Sequence, residues 1–236
     1  EIITDNNRVK GVVTSNNDIY YSQHIISNIN PKSTYLELLN FENKKVNDLE
    51  LSLSAIQLYL GLDINPKSLG IPNHNLTVFY SYNHEENYIW IMDGEYKKTF
   101  FSATNYTDID KSIIPDGKGV LNIMSLDHIK NWENLTKTEY LDKKERVSNI
   151  IIEKLEKYYK NISKHIIVKE LATPLTMKRY TQTPRGSIYG FSQSVSQSGI
   201  NRFSSNSNIE GLFFTGANTY PGAGYSSVMI SGARMG

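Results

Sequence analysis

The chain has 236 residues, of which 39% are hydrophobic and 21% are charged, an ordinary balance for a globular protein that argues against intrinsic disorder. The formal net charge is +1, so neither nucleic acid nor an anionic membrane is indicated as the main partner. Cysteine is absent, which excludes disulfides, thiolate nucleophiles and cysteine-based zinc sites.

The first 40 residues are predicted to form strands followed by a helix. The helix should begin after Asn30, a good N-cap residue, with Pro31 in the first helical position. Residue 1 lies in a strand-like run that lacks an initiating Met, so we expect it to be an interior position of a longer protein. Turn-forming Asn and Asp clusters separate three predicted strands, which are EIIT (1–4), KGVVTS (10–15) and IYYSQHIISNI (19–29).

Residues 51–127 are predicted to be mainly β structure. Several runs are bounded by Gly, Pro, Asn or Asp, and their spacing is typical of an antiparallel sheet with one packed face and one exposed face. The predicted strands are LSLSAIQLYLGL, LTVFYSY, NYIWIMD, KTFFSAT and GKGVLNIMSL.

Helical periodicity is clearest over residues 138–161, where Val147, Ile151 and Leu155 recur on one face. The run KHIIVKELATP then predicts a strand, and a short helix is expected from the TP that closes it. Asn and Ser dominate residues 192–208, which predicts a long surface loop. The remaining elements are a strand over 211–215, a loop over 216–224 and a helix from about residue 225.

The loop before the last helix nearly matches a dinucleotide-binding fingerprint. GAGYSS, residues 222–227, places Ser227 where G-x-G-x-x-G has its last glycine, but ANTYP separates it from the strand and only nine residues follow. It is therefore not the first phosphate loop of a Rossmann unit. Gly222 and Gly224 still leave the backbone bare before a helix N-terminus, which suits a phosphate or an electron-rich carbonyl. The alternative is a tight turn that needs glycine for positive φ.

A second candidate segment covers residues 172–194, ATPLTMKRYTQTPRGSIYGFSQS. Arg185 is a candidate to bind a phosphate or carboxylate, and Tyr180, Tyr189 and Phe191 are candidates to line an apolar cavity. The alternative is an ordinary packed turn. The five histidines, at positions 24, 74, 84, 128 and 165, show no metal-ligand spacing, so no metal site is predicted and catalytic residues stay unassigned.

Taken together, ATPLTMKRYTQTPRGSIYGF and the later GLFFTGANTYPGAGYSSVMISG resemble the C-terminal part of one flavoprotein family. This is the phytoene desaturase-like group, with carotenoid isomerase and retinol saturase, within the amine-oxidase-like flavin oxidoreductases. The run from Arg8 to Leu39 also looks like the family's returning flavin-domain strands, with Ser27, Asn28 and Pro31 in place and Asn30 where Asp is common. The resemblance covers essentially the whole chain.

The resemblance implies an α/β (α+β) fold in three parts: strands of an FAD-binding, Rossmann-like domain over 1–40, a mainly antiparallel substrate domain over 41–190, and the end of the FAD-binding domain over 191–236. The family's G-x-G-x-x-G unit is absent from the chain. FAD is the implied cofactor, and hydride exchange between flavin N5 and a carbon pair of a carotenoid- or retinoid-like substrate is the implied reaction. The substrate wall would include Tyr180, Tyr189 and Phe191. The implied cofactor-binding residues are Gly216, Ala217, Asn218, Pro221, Gly222, Ala223, Gly224, Tyr225, Ser226, Ser227 and Val228.

Some relatives in the wider group carry an acidic ribityl contact where this chain has Ala217 and Asn218. We expect the 236 residues alone to bind no FAD tightly and to be inactive. Expected partners are an apolar small molecule and no nucleic acid, in the cytoplasm, with peripheral membrane contact left open. The alternatives are an amine-oxidase-like enzyme acting on a C–N bond and a non-enzymatic β-rich binding module.

Overall fold

A computed structural model describes residues 1–72, 75–110, 112 and 114–235. The chain forms two compact units: unit 1 comprises Glu1–Leu53 and Thr181–Gly236, and unit 2 comprises Ser54–Tyr180. The architecture combines helices with antiparallel sheets, which confirms the predicted fold class. The predicted functional division, into 1–40, 41–190 and 191–236, stays a prediction because compactness does not say which unit binds a cofactor.

Unit 1 contains two small sheets. β1 (Ile2–Asp5), β2 (Arg8–Val13) and β3 (Ile19–Tyr21) form an antiparallel sheet in that order. β4 (Ile25–Ser27) pairs in parallel with β10 (Leu212–Phe214).

The prediction of a single strand over 19–29 is wrong, since β3 and β4 belong to different sheets. The Ser22 hydroxyl accepts a hydrogen bond from the His24 N–H (3.2 Å) and donates to the His24 carbonyl (2.7 Å). Such local side-chain bonds compete with the backbone bonds of a continuous strand.

The helices of unit 1 are short. α1 (Pro31–Ser33) continues as a π-helical turn over Thr34–Leu38 and is followed by α2 (Lys44–Asn47), while α6 (Tyr225–Ala233) lies near the end of the chain. The predicted N-cap is confirmed, because Asn30 Oδ1 accepts a hydrogen bond from the Lys32 N–H at 2.9 Å. The buried core of this unit consists of Ile2, Val9, Tyr35, Val46, Phe191, Ile209, Leu212 and Phe214.

Unit 2 is built on a five-stranded antiparallel sheet with strand order β6-β7-β8-β5-β9. Its core joins the inward side chains Ile56, Leu58 and Leu60 of one strand to one face of α4 (Lys137–Glu156). A capping box between Thr136 and Glu139 starts this helix, and α5 (Pro174–Thr181) follows the last strand. The strands are β5 (Ser54–Leu62), β6 (Asn75–Val78), β7 (Phe101–Asn105), β8 (Gly119–Asp127) and β9 (Ile166–Ala172).

The strand predicted over NYIWIMD is wrong, because these residues lie in α3 (His84–Asp93). Asn83 Oδ1 accepts hydrogen bonds from the N–H groups of Glu85 (3.0 Å) and Glu86 (3.2 Å), and Gly94 ends the helix with φ +67°. The N-cap and the C-terminal glycine therefore override the strand preference of the aromatic and β-branched residues between them.

No helix among the described residues combines the length and the apolar character needed to cross a membrane.

Candidate functional site

The loop between β10 and α6 is the main candidate site, and its predicted strand–loop–helix form is confirmed. Gly216, Gly222 and Gly224 have φ angles of +87°, +125° and +103°, which side-chain-bearing residues rarely adopt. Gly216, Asn218 and Gly222 are buried, whereas Gly224 and Tyr225 are exposed. The beginning of the loop is thus part of the core and its end faces solvent.

Three hydroxyl groups fix the start of the loop; we refer to Thr215, Thr219 and Ser231 as the hydroxyl cluster. Ser231 Oγ lies 2.7 Å from Thr219 Oγ1 and 3.1 Å from Thr215 Oγ1, and it accepts the Gly216 N–H at 3.0 Å. The Thr215 N–H donates to the Ser27 carbonyl of β4 at 3.0 Å. These bonds satisfy buried polar groups and tie α6, the loop and β4 together.

Packing explains why position 216 requires glycine. A Cβ atom built there would lie 2.1 Å from Asn28 Oδ1, far inside van der Waals contact. The N–H of Gly216 is also engaged by Ser231. The structure therefore explains this glycine without a ligand.

The Asn218 side chain is held by the protein itself. Asn30 Nδ2 donates to Asn218 Oδ1 at 3.1 Å, while Asn30 Oδ1 caps α1. Gly190 lies against the same oxygen, since a Cβ built on Gly190 would meet Asn218 Oδ1 at 2.6 Å. The Asn218 oxygen thus has a structural partner, and Ala217 offers no polar side-chain atom.

The exposed end of the loop differs from its start. Among the described residues, no atom lies within 4 Å of the position that a Cβ on Gly224 would occupy. In the part of the chain that the structure describes, no side chain caps α6, whose first helical hydrogen bond runs from the Val228 N–H to the Gly224 carbonyl (2.9 Å). The N–H groups of residues 225–227 therefore have no helical acceptor, and the positive end of the helix dipole points toward the space beside Gly224.

α6 buries a serine and exposes large apolar side chains. Ser231 is only 1% exposed, whereas Tyr225 is 92% exposed and Met229 is 72% exposed. The inward face is therefore fixed by hydroxyl hydrogen bonds, and the large apolar side chains are left at the surface of unit 1.

Arg202 is a buried cation next to the loop. Arg202 is only 6% exposed. Its Nη1 donates hydrogen bonds to the carbonyls of Phe191 (2.9 Å), Ser192 (3.0 Å) and Gln197 (3.4 Å). Nη2 donates to the carbonyl of Ala217 in the loop. Burial lowers the pKa of the Arg202 guanidinium, which nevertheless stays protonated because arginine is so weakly acidic.

The three predicted substrate residues differ in environment. Tyr180 belongs to unit 2 and is exposed, whereas Tyr189 and Phe191 belong to unit 1. Tyr189 is exposed, and Phe191 is buried in the core, where its ring packs edge-on against Phe203 at 5.7 Å. Their contact with a substrate stays a prediction.

Arg185 is exposed on a turn of unit 1. Burial, with the positive charge of Arg185 as a second cause, lowers the pKa of Lys32. His74 lies outside the described residues. Within the described ranges, no group of His, Asp and Glu side chains is arranged to hold a metal ion.

The curated proteins that the chain resembles include carotenoid-modifying enzymes. The chain is 27% identical over 235 residues to a chloroplastic prolycopene isomerase of Daucus carota, covering 98% of the chain and 37% of that protein. It is 29% identical to the Arabidopsis thaliana enzyme, of which it covers 38%. It is 28% identical over 239 residues to 4,4'-diaponeurosporene oxygenase of Staphylococcus haemolyticus strain JCSC1435, covering 97% of the chain and 46% of that protein.

The chain is similar in sequence to these carotenoid-modifying enzymes over nearly its whole length. It spans less than half the length of each of them, and no protein-family model matches it. An oxidoreductase from Methanosarcina mazei matches the whole chain with a TM-score of 0.61 at 12% identity, over 47% of its own length. A putrescine oxidase bound to putrescine matches 94% of the chain with a TM-score of 0.58 at 13% identity, over 43% of its length. The predicted resemblance to carotenoid-modifying enzymes is confirmed, and the chain shares its fold with these two solved structures.

Sequence reasoning missed three residues that hold the loop through buried hydrogen bonds, namely Arg202, Ser231 and Thr219. A serine inside the apolar run SSVMISGA was the available signal for the hydroxyl cluster. Arg202 gave no comparable signal, because it lies in a polar run that reads as surface loop.

Proposed function

We propose that the chain is part of an FAD-dependent oxidoreductase that acts on carbon–carbon bonds of an apolar, carotenoid- or retinoid-like substrate. One observation carries the proposal: in a chain similar to carotenoid-modifying enzymes, the free N–H groups of α6 face an open space beside Gly224. An electron-rich or anionic ligand group is the natural occupant of such a space.

The residues fit FAD in two respects. The segment 211–233 contains no charged side chain, so no carboxylate repels a pyrophosphate or the electron-rich edge of a flavin. Gly224 allows close approach to the backbone, and residues 225–227 supply N–H donors. When bound, FAD supplies hydride exchange at flavin N5 with a carbon pair of the substrate.

In the proposed reaction, this chain binds the cofactor and supplies electrostatic stabilisation. We propose that residues 222–228 hold the flavin end of the cofactor, and that the dipole of α6 stabilises negative charge on it. The hydroxyl cluster anchors α6 to the start of the loop through Ser231. Because Asn30 engages the Asn218 side chain and residue 217 is alanine, we expect no acidic ribityl contact from this loop.

The ADP half of the cofactor needs other residues. The chain contains no strand followed at once by G-x-G-x-x-G, the motif that holds a dinucleotide pyrophosphate. We therefore propose that residues outside these 236 hold that half, and that the 236-residue chain alone is inactive and retains no FAD. Purified chain that is yellow and releases a fluorescent flavin on denaturation would contradict this.

Gly224→Val tests the loop in the complete coding sequence that contains this chain. The valine fills the open space, so we expect flavin affinity to fall by at least about tenfold, with residual binding detected by flavin fluorescence. Gly199→Val is the matched control, because Gly199 also has positive φ (+55°) and a built Cβ there would meet no atom of the described residues within 4 Å. Normal flavin binding by Gly224→Val would refute the loop assignment. Conversion of a carotenoid with a changed polyene absorbance, and no oxidation of amines, tests the substrate class.

A further inference from the structure

Arg202 places a full positive charge beside the loop without a counter-ion. Among the residues that the structure describes, no carboxylate lies within 4 Å of its guanidinium, and all four of its hydrogen bonds go to backbone carbonyls. Its Nε is buried and has no acceptor in the described part of the chain. The charge is therefore solvated by carbonyl dipoles alone.

An arrangement of this kind is costly if it serves only to hold the backbone. Burying a cation without an anionic partner costs several kcal/mol. A neutral donor would satisfy carbonyl groups without that cost. The cost falls when an anionic or electron-rich group lies nearby, because the guanidinium then gains a favourable electrostatic interaction.

The geometry links this charge to the loop. Nη2 holds the carbonyl of Ala217, and Nη1 holds the carbonyls of Phe191, Ser192 and Gln197. One planar group therefore fixes the loop against the 191–197 segment, as the rigid fork of arginine permits and the single ammonium of lysine does not.

We propose that Arg202 is a positioning residue of the flavin site, fixing the loop through the Ala217 carbonyl and adding positive charge that favours the reduced, more negative form of the flavin. This role rests on the proposed function. Arg202 does not need to touch the flavin, since it acts through the loop and through its field.

The test uses the complete protein carrying Arg202→Met or Arg202→Lys. Arg202→Met removes both charge and clamp, so we expect about tenfold weaker flavin binding and about a tenfold smaller preference for reduced over oxidised flavin. For a two-electron couple that second change corresponds to a reduction potential about 30 mV lower. Arg202→Lys keeps the charge and loses the fork, so flavin affinity should fall while the potential stays close to that of the wild type.

Arg8→Met is the control, because Arg8 is a partly exposed arginine of the same unit that pairs with Glu210 at 3.5 Å. It should leave affinity and potential unchanged. Wild-type affinity and potential in both Arg202 variants, with only a lower melting temperature, would overturn the role of Arg202 and leave the flavin assignment intact. A wild-type complete protein without flavin would overturn both. Should Arg202→Met fail to fold, a wild-type flavin affinity in Arg202→Lys would by itself refute the clamp.

Discussion

Lys154 on α4 makes the stability of unit 2 depend on pH. Lys154 is only 5% exposed, and its Nζ donates hydrogen bonds to the carbonyls of Tyr96 (2.9 Å) and Thr99 (2.5 Å). The ammonium also lies 4.8 Å from the centroid of the Tyr80 ring. Burial, with a smaller contribution from the charge of Lys157, lowers the pKa of Lys154 from 10.5 to about 8.

The sign of the effect follows from which state binds more protons. Between pH 8 and pH 10.5 the unfolded chain keeps this lysine protonated while the folded chain releases the proton, so stability rises with pH. One pKa unit corresponds to about 1.4 kcal/mol, and the full displacement to about 3 kcal/mol. Below pH 8, these roughly 3 kcal/mol are the free-energy cost of burying the charged ammonium. The true cost is smaller, because the two carbonyls and the Tyr80 ring stabilise the charged form.

Lys154→Met removes the titrating group and keeps a side chain of similar length. We expect the unfolding free energy of the wild type, minus that of Lys154→Met, to increase by up to about 3 kcal/mol between pH 7 and pH 10.5. Urea unfolding of the 236-residue chain at both pH values measures it. Lys137→Met, at an exposed position of the same helix, is the control and should show no such trend. A pH-independent difference for Lys154→Met would refute the reasoning.

Three further substitutions probe single contacts by urea or thermal unfolding. Ser231→Ala should lower stability by about 2 kcal/mol, because it leaves the Gly216 N–H without its acceptor and removes the hydrogen bonds of Ser231 to Thr215 and Thr219. Exposed Ser226→Ala should cost less than about 0.5 kcal/mol, and equal effects would contradict the hydroxyl cluster. Asn30→Ala removes both the cap of α1 and the bond to Asn218 and should cost about 1–2 kcal/mol, so an unchanged unfolding midpoint would count against it. Asp127→Asn should cost about 3 kcal/mol. The buried Asp127 carboxylate accepts hydrogen bonds from Tyr96, Trp132, Asn131 and the His128 N–H, and the amide NH2 of an asparagine would face two of these donors. A stability within about 0.5 kcal/mol of the wild type would contradict the network.

The elements that the sequence predicted well carry strong local signals. The helix α4 has a regular apolar period, and the loop over 216–224 contains glycines at positions that require positive φ. The antiparallel sheet of unit 2 follows from alternating apolar residues such as those of β5. In each case neighbours in the chain determine the conformation, so a local pattern suffices.

The parts that escaped prediction depend on distant partners. Ser231 is buried where it bonds the hydroxyls of Thr215 and Thr219, which lie 16 and 12 positions earlier in the chain, whereas composition alone would place Met229 inside. Arg202 is buried because four carbonyls from two segments converge on it. In α3, the N-cap formed by Asn83 stabilises a helix although the aromatic residues of this segment favour a strand.

The parallel pairing of β4 with β10 also sets an order of assembly during protein synthesis. Asn30 and its partner Asn218 are 188 positions apart, and the whole of unit 2 is translated between them. At typical translation rates β4 therefore spends on the order of 10 to 30 s without its partner strand, while unit 2 has all its residues available to fold. An unpaired strand edge invites association with other chains. The loop that we assign to flavin therefore forms only after β10 has been translated, and until then β4 lacks the partner strand that covers its edge.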